Sequence, residues 1–239
     1  SRSSGARSGT CGLGRASAIA LAEAGARVAG GARRVERLET EIALPLDVTD
    51  PESCAAFVAE AVERLGGGVD ILFNNAGLAL GRVPIWESTE EDERTVIETN
   101  VSGLLRMTRL CLPHIRDGGH IVNMGSVAGR QAYPSGASYI AAKFAERGFT
   151  YALREDLLGR PIRVTTVDAG LVESEFSLVR LKGDAEKAAS VYEAVDPITP
   201  DEVADCVLFE LTRPPHVNVD EIVIKSLQQS SGARIVLRE

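Results

Sequence analysis

The feature that most constrains the fold is an alternation, along the chain, of short apolar runs with longer amphipathic segments. Several runs are rich in β-branched residues and alternate little between polar and apolar positions, which is typical of strands covered on both faces. Parallel strands need long connections, and helices usually form them. The pattern therefore predicts an α/β fold with a doubly wound, largely parallel sheet. The candidate strands are Arg27 to Gly30, Ala43 to Leu46, Val69 to Phe73, His120 to Met124, Ile162 to Val167 and Glu221 to Ile224.

Two connecting helices are marked by the residues that begin them. Asp50 and Pro51 form a cap and first-turn pair, and apolar residues follow at helical spacing as far as Leu65. Thr199 and Pro200 repeat this arrangement ahead of a second apolar stripe. Both segments are predicted to be helices.

The length of 239 residues suits one large domain, 1–239, and the chain contains no internal repeat and no linker. Residues 171–195 interrupt the alternation with polar, mixed sequence directly after a candidate strand. An insertion at that end of a strand is a natural substrate lid. We expect a single domain that carries a small helical lid.

Charge and composition argue against several classes of partner. The net charge of −8 repels nucleic acid and anionic lipid. No run of about 18 apolar residues is present and the N-terminus is polar, so we expect a cytoplasmic protein without a membrane partner. Four cysteines lie far apart with no histidine at ligand spacing, so we expect reduced thiols and no metal site. These cysteines are Cys11, Cys54, Cys111 and Cys206.

Two features near the N-terminus are typical of dinucleotide binding. Gly12, Leu13 and Gly14 precede an amphipathic run, so the backbone can approach a pyrophosphate at a helix N-terminus. Glycines at such a place also occur as ordinary turn residues. Arg33 and Arg34 follow the first candidate strand, where an NAD site usually presents an acidic residue. Each arginine alone is equally consistent with an ordinary surface residue, but together they favour a 2′-phosphate and hence NADP(H).

The strongest constellation is Tyr139 and Lys143, which are four residues apart in a helical segment and so share one helix face. A nearby ammonium favours tyrosinate and is expected to lower the pKa of the phenol. Such a phenol can exchange a proton with an alcohol or carbonyl oxygen. By itself, a Tyr-x-x-x-Lys pair is usually structural.

Together with Asp47, the segment Asn74 to Gly77, Asn100 and Ser126, this pair makes the chain similar to the short-chain dehydrogenase/reductase (SDR) family. The resemblance implies a Rossmann-like fold and an oxidoreductase that works as a homo-oligomer, a tetramer or a dimer. It implies that Tyr139 is the general acid and base and that Ser126 hydrogen-bonds the substrate oxygen. Lys143 would also hold the nicotinamide ribose, and Asn100 would support a proton relay through water. The two N-terminal features and the resemblance together give the predicted cofactor residues, which are Gly9, Gly12, Leu13, Gly14, Arg33, Arg34, Asp47, Val48, Asn74, Ala76, Gly77, Tyr139, Lys143, Gly170 and Val172.

Three further segments, Asn74 to Gly81, Gly170 to Asp184 and Ile198 to Ile224, resemble the branch of NADP-dependent 3-hydroxy acid and L-allo-threonine (serine) dehydrogenases. This narrower resemblance implies a small 3-hydroxy acid as substrate. Arg180 or Lys182 in the predicted lid would then contact its carboxylate, the arginine through two parallel hydrogen bonds. Two alternatives stay open, a broad-specificity reductase of ketones and aldehydes and a non-catalytic dinucleotide-binding or structural protein.

Overall fold

Six strands, each parallel to its neighbours, form the framework of the computed structural model, which describes residues 12–238. The predicted cofactor residue Gly9 and the thiol of Cys11 lie outside these residues. Strand β1 (Ala29–Ala32) pairs with β2 (Ile42–Pro45). A four-stranded sheet has the order β3 (Val69–Asn74), β4 (Ile115–Ser126), β5 (Arg163–Ala169) and β6 (Glu221–Ile224).

Helices connect most of the strands, as the doubly wound fold predicts, and a 3₁₀ turn, Val35–Arg37, lies between β1 and β2. The helices are α1 (Leu13–Glu23), α2 (Pro51–Arg64), α3 (Glu90–Ile97), α4 (Gly103–Cys111), α5 (Ala137–Asp156), α6 (Phe176–Arg180), α7 (Ala185–Ser190) and α8 (Pro200–Leu211). A π-helical turn, Glu98–Ser102, joins α3 to α4. The predicted Rossmann-like α/β fold is confirmed, and the segment 171–195 forms the short helices α6 and α7.

Two apolar layers cover the four-stranded sheet, one on each face. Ile121 and Val122 are neighbours on β4, both fully buried, and they belong to different core clusters. Ile121 packs with residues of α2, α4 and α5, whereas Val122 packs with residues of α8. Successive side chains of a strand point to opposite faces. Burial on both faces therefore explains why this strand shows no polar alternation in the sequence.

The three cysteines that the structure describes are all free thiols. Cys54 and Cys111 are buried free thiols, and Cys206 is a partly buried free thiol. Burial raises the pKa of the Cys111 thiol to about 12, so it stays protonated near neutral pH.

Within residues 12–238, no helix is both long and apolar enough to cross a membrane.

The two predicted caps are present, and the second supports a stability prediction. Thr199 and Glu202 form a capping box, in which each side chain bonds to the backbone N–H of the other residue. We expect Thr199→Ala to lower the free energy of unfolding by about 1 kcal/mol, as measured by urea denaturation. Thr95→Ala, inside α3, removes the same atoms away from a cap and should leave stability unchanged or slightly higher. Equal losses in both variants would contradict the assignment.

Candidate functional site

The predicted site residues follow the carboxyl ends of five different strands. Arg33 follows β1, Asp47 follows β2, Asn74 ends β3, Ser126 ends β4 and Gly170 follows β5. These ends lie at one edge of a parallel arrangement, where ligands of open α/β sheets bind. One cleft at this edge is lined by all the predicted catalytic and cofactor residues from Gly12 onward, and by Arg180. In residues 12–238, no group of three or more histidine, cysteine, aspartate or glutamate side chains could hold a metal ion.

Tyr139 and Lys143 share one face of α5, as their spacing predicts. The Lys143 Nζ atom lies 5.9 Å from the centroid of the Tyr139 ring. It donates hydrogen bonds to the Met124 carbonyl oxygen and to Glu146 Oε2, both at 2.7 Å. The Tyr139 and Lys143 side chains are both buried. A phenol and an ammonium therefore meet in a site that is largely shielded from water.

The Lys143 ammonium acts on the pKa of Tyr139 in the predicted direction, but the net change is upward. Burial raises the pKa of this phenol above its ordinary value, because the charged tyrosinate loses hydration. The Lys143 ammonium and the nearby Ser126 hydroxyl oppose the rise, whereas Tyr133 and Glu146 add to it. Helical spacing predicted the ammonium correctly but carried no information on how deeply the phenol is buried.

Ser126 occupies the last position of β4, directly beside the phenol. Its hydroxyl accepts a hydrogen bond from the Ala128 N–H at 3.1 Å. It also interacts with the Tyr139 hydroxyl, which lowers the pKa of that phenol. The extended backbone of β4 and the 3₁₀ turn that follows it thus present this hydroxyl toward α5.

Asn100 lies in the π-helical turn, and its side chain is fully engaged with the backbone. Nδ2 donates to the Leu78 and Val96 carbonyl oxygens, each at 2.7 Å, and Oδ1 accepts from the Leu78 N–H at 3.0 Å. A Cβ atom added to Gly77 would lie 2.7 Å from Asn100 Oδ1, so only glycine fits there. Asn100 therefore fixes the loop after β3, and the structure does not test the predicted water relay.

Backbone features at the start of α1 fit an anionic group. Gly12, at the N-cap, has no side chain to satisfy the first helical N–H groups. A Cβ atom at Gly14 would lie 2.6 Å from Asn75 Nδ2, so the absence of a side chain lets this loop pack closely against the segment after β3. A helix N-terminus without a side-chain cap from the described residues favours phosphate oxygens.

Charged residues surround the other end of the cleft. Hydrogen bonds from Thr49, helped by the charge of Arg33, hold the pKa of the Asp47 carboxyl below its ordinary value. Arg34 forms an ion pair with Glu175, the residue that precedes α6, at 3.1 Å. Arg37 pairs with the same carboxylate at 3.1 Å. This side of the cleft is therefore rich in guanidinium groups.

The remaining predicted cofactor residues are held by local packing. Asn74 Nδ2 donates to Thr108 and Asn123, which ties β3 to α4 and β4. The Gly170 N–H donates to the Ile224 carbonyl oxygen at 2.8 Å. Val172 forms a parallel bridge with Ile198. Val48 and Ala76 line the cleft beside them.

The two predicted substrate-binding cations have different surroundings. Arg180 Nη1 donates to the Tyr133 hydroxyl at 3.2 Å, and the guanidinium lies 5.8 Å from the Tyr139 ring centroid. Its Nη2 atom is buried and has no hydrogen-bond partner within residues 12–238. Lys182 is half exposed, pairs with Asp92 at 2.7 Å and does not line the cleft. Arg180 thus lies in the cleft beside Tyr139, whereas Lys182 lies outside the cleft.

Sequence reasoning missed two acidic residues that touch this site. Glu146 forms an ion pair with Lys143. Glu175, which directly precedes α6, forms ion pairs with Arg34 and Arg37. The signal for Glu146 was available, because it stands three residues after Lys143 and so shares its helix face. No local pattern marked Glu175, whose partners lie more than 130 residues away in the chain.

Comparison with known proteins places this geometry in a family. A family model described as short chain dehydrogenase matches residues 7–183. The NADP-dependent 3-hydroxy acid dehydrogenase of Schizosaccharomyces pombe is 43% identical over 199 residues, which are 82% of this chain and 76% of the relative. The serine 3-dehydrogenase of Agrobacterium fabrum is 36% identical over 239 residues, 96% of each chain.

A solved structure agrees with these sequence relatives. The closed form of a serine dehydrogenase complexed with NADP+ superimposes with a TM-score of 0.86 at 37% identity, and the match covers 95% of this chain and 96% of that one. The shared fold, the matched family model and the arrangement of Ser126, Tyr139 and Lys143 all agree with the resemblance seen in the sequence. The chain belongs to the short-chain dehydrogenase family.

Proposed function

We propose that this protein is an NADP(H)-dependent oxidoreductase that transfers a hydride between the cofactor and a small hydroxy or keto substrate, with a 3-hydroxy acid as the hydroxy form. One observation carries the proposal, the meeting of Ser126, Tyr139 and Lys143 at the carboxyl edge of the sheet. The names of the relatives support the cofactor and the substrate class.

In the proposed reaction, the residues of the chain handle the proton and the charge on oxygen. The nicotinamide, when bound, supplies the hydride chemistry. Tyr139 exchanges a proton with the substrate oxygen, and Ser126 donates a hydrogen bond to the same atom as negative charge develops there. Lys143 keeps a positive charge beside the phenol, which favours its ionised form.

The cleft fits the proposed cofactor from one end to the other. The open N-terminus of α1, from Gly12 to Gly14, would hold the pyrophosphate, with Gly9 proposed beside it from the sequence alone. Arg33 and Arg34 would hold the 2′-phosphate, which would compete with Glu175 for Arg34. The residues at the adenine would be Asp47 and Val48; Asn74, Ala76 and Gly77 would line the middle of the cleft, and Gly170 and Val172 the nicotinamide end.

The helices α6 and α7 are proposed as the substrate lid of residues 171–195. Arg180, on α6, reaches back to the Gly81 carbonyl oxygen and to Tyr133, and so brings a cation next to Tyr139. A substrate carboxylate would provide the partner that its buried Nη2 atom lacks within residues 12–238. This Nη2 atom, on a guanidinium that lies 5.8 Å from the Tyr139 ring centroid, is the observation that favours a hydroxy acid over an uncharged ketone or aldehyde.

Assembly and location are proposed on narrower grounds. We propose that copies of the chain pair into dimers or tetramers, because Leu105 on α4 and Phe144 on α5 are exposed apolar side chains. The free thiols of Cys54 and Cys111 fit a reducing compartment and support a cytoplasmic location.

The proposed function is tested by turnover and by cofactor preference. We expect the purified protein to reduce NADP+ with serine or 3-hydroxybutyrate as substrate, followed by the absorbance of NADPH. Arg34→Ala should raise KM for NADP+ by about 10- to 100-fold, because a hydrogen bond to a charged group is lost, and should leave KM for NAD+ unchanged. Arg64→Ala, an exposed arginine on α2 paired with Glu60, is the control.

Two results would count against this proposal. Absence of saturable NADPH binding at millimolar concentrations, measured by fluorescence, would favour a non-catalytic protein. Equal effects of the Arg34→Ala change on NADP+ and NAD+ would remove this arginine from the 2′-phosphate site.

A further inference from the structure

Glu146 is a buried acidic side chain that the proposed reaction does not use. It stands three residues after Lys143 on α5, is 5% exposed and lines the same cleft as Tyr139. Its Oε2 atom accepts a hydrogen bond from Lys143 Nζ at 2.7 Å. Its Oε1 atom has no hydrogen-bond partner among residues 12–238. Within that part of the chain, the only hydrogen bond of the carboxylate is therefore the one from Lys143.

A purely structural purpose does not account for this carboxylate. Taking an acidic group out of water is unfavourable, and an apolar side chain of similar volume often stabilises a protein as well as a buried ion pair does. The neighbours of Glu146 along the helix face are the buried Ala142 and Thr150, beside which an apolar residue would fit. The effect of the carboxylate must therefore be sought in what it does to Lys143.

Few other charged groups in the described chain face this pair. From β5, the Asp168 carboxylate acts on both Lys143 and Glu146, and it is itself paired with Arg130. From β4, the Met124 carbonyl oxygen accepts a hydrogen bond from Lys143. The groups that act on the phenol besides these two residues of α5 are Ser126 and Tyr133, and the Arg180 guanidinium of α6 lies 5.8 Å from the centroid of its ring.

We propose that Glu146 is a positioning residue for the proton-transfer pair, holding the Lys143 ammonium against β4 and making Tyr139 harder to ionise. The catalytic meaning of this role rests on the proposed function. Two contacts, to Met124 and to Glu146, fix the position of Lys143 Nζ. The carboxylate also offsets part of the positive charge that would otherwise favour tyrosinate.

The sign of the effect follows from the charges. Tyrosinate is negative, so the negative carboxylate disfavours it and raises the pKa of Tyr139. Burial also raises the pKa of Glu146 itself, against the attraction of the Lys143 ammonium. Removing the carboxylate while keeping its shape, as in Glu146→Gln, should therefore let Tyr139 ionise at lower pH. Asp168 and the Met124 carbonyl remain to keep Lys143 charged.

The test is a titration of the Tyr139 phenolate by ultraviolet difference spectroscopy, using a matched Tyr139→Phe protein as background. We expect Glu146→Gln to lower the pKa of Tyr139 by on the order of one pH unit, within the range of shifts that a nearby charge produces. The acid limb of kcat/KM for hydroxy acid oxidation should move to lower pH by the same amount. Glu155→Gln, an exposed glutamate of α5, should shift neither.

Each outcome decides the proposal. An unchanged or higher pKa of Tyr139 in Glu146→Gln would overturn it. If Glu146→Gln does not fold, Glu146→Asp carries the test, because withdrawing the carboxylate by one methylene should shift the titration in the same direction by less. If Glu146→Gln lowers the pKa of Tyr139 but the unmodified protein turns over no hydroxy acid, the role of Glu146 is supported and the proposed function is refuted.

Discussion

Replacing Tyr139 with phenylalanine is expected to lower kcat by about 100- to 10,000-fold, the range that a positioned general acid and base contributes. The change removes one oxygen atom and keeps the ring. The centroid of that ring lies 5.4 Å from the centroid of the Phe176 ring, and the ring also lies beside Arg180. Because these contacts do not involve the hydroxyl, the walls of the cleft should persist. The dissociation constant of NADPH, measured by fluorescence titration, should stay close to that of the unmodified protein.

The matched control is Tyr151→Phe on the same helix. Tyr151 is exposed and hydrogen-bonds to Glu221, away from the cleft. This variant makes the same chemical change and should keep its activity. If Tyr139→Phe retained a kcat similar to that of Tyr151→Phe, the phenol of Tyr139 would not be the group that transfers the proton.

The fold could be predicted from sequence because its main determinants are periodic. Burial of the sheet on both faces produced the continuous apolar runs, and β6 begins and ends where the sequence predicted. Boundaries were less accurate where side chains are small. Strand β1 begins two residues later than predicted, at Ala29, and a Cβ atom at its Gly31 would lie 2.6 Å from Phe57 and 2.7 Å from Leu46. Such tertiary contacts leave no local signal.

Strand β4 shows a second limit of local patterns. Its predicted start was His120, yet the strand begins at Ile115 and pairs there with Val69 across an irregular register. The residues between them include Arg116 and Gly119, which do not look like a buried strand in the sequence. Arg116 forms an ion pair with Asp70 on the neighbouring strand, a contact that only the folded sheet creates.

Some features of the candidate site could be predicted from the sequence and others could not. Helical spacing placed Tyr139 and Lys143 on one face, and the family resemblance added Ser126 to them. They did not give the direction of the Tyr139 pKa, which depends on burial and on Glu146. Nor did they show that the Asn100 side chain is engaged with the backbone. The pKa of a side chain depends on charges and burial from all the elements around it, whereas a sequence motif describes residues of one element only.

The second large effect is expected at Arg180. Arg180→Ala should raise KM for a 3-hydroxy acid by about 10- to 100-fold, since a charge-assisted hydrogen bond contributes about 1.5 to 3 kcal/mol. KM for the neutral methyl ester of the same acid should change little, because the ester has no carboxylate for the guanidinium to bind. Steady-state kinetics with both compounds at saturating NADP+ gives the comparison.

Two further variants separate a specific contact from a general weakening of α6. Lys182→Ala removes a cation from the same segment, but Lys182 pairs with Asp92 outside the cleft, so KM should not change. Arg180→Lys keeps the charge and loses the planar pair of donors, so its KM should lie between those of the unmodified protein and Arg180→Ala. A parallel rise in KM for acid and ester in Arg180→Ala would assign this arginine to the packing of Tyr133 and Tyr139 and leave the carboxylate without a partner. The broad-specificity reductase would then be the better description of the enzyme.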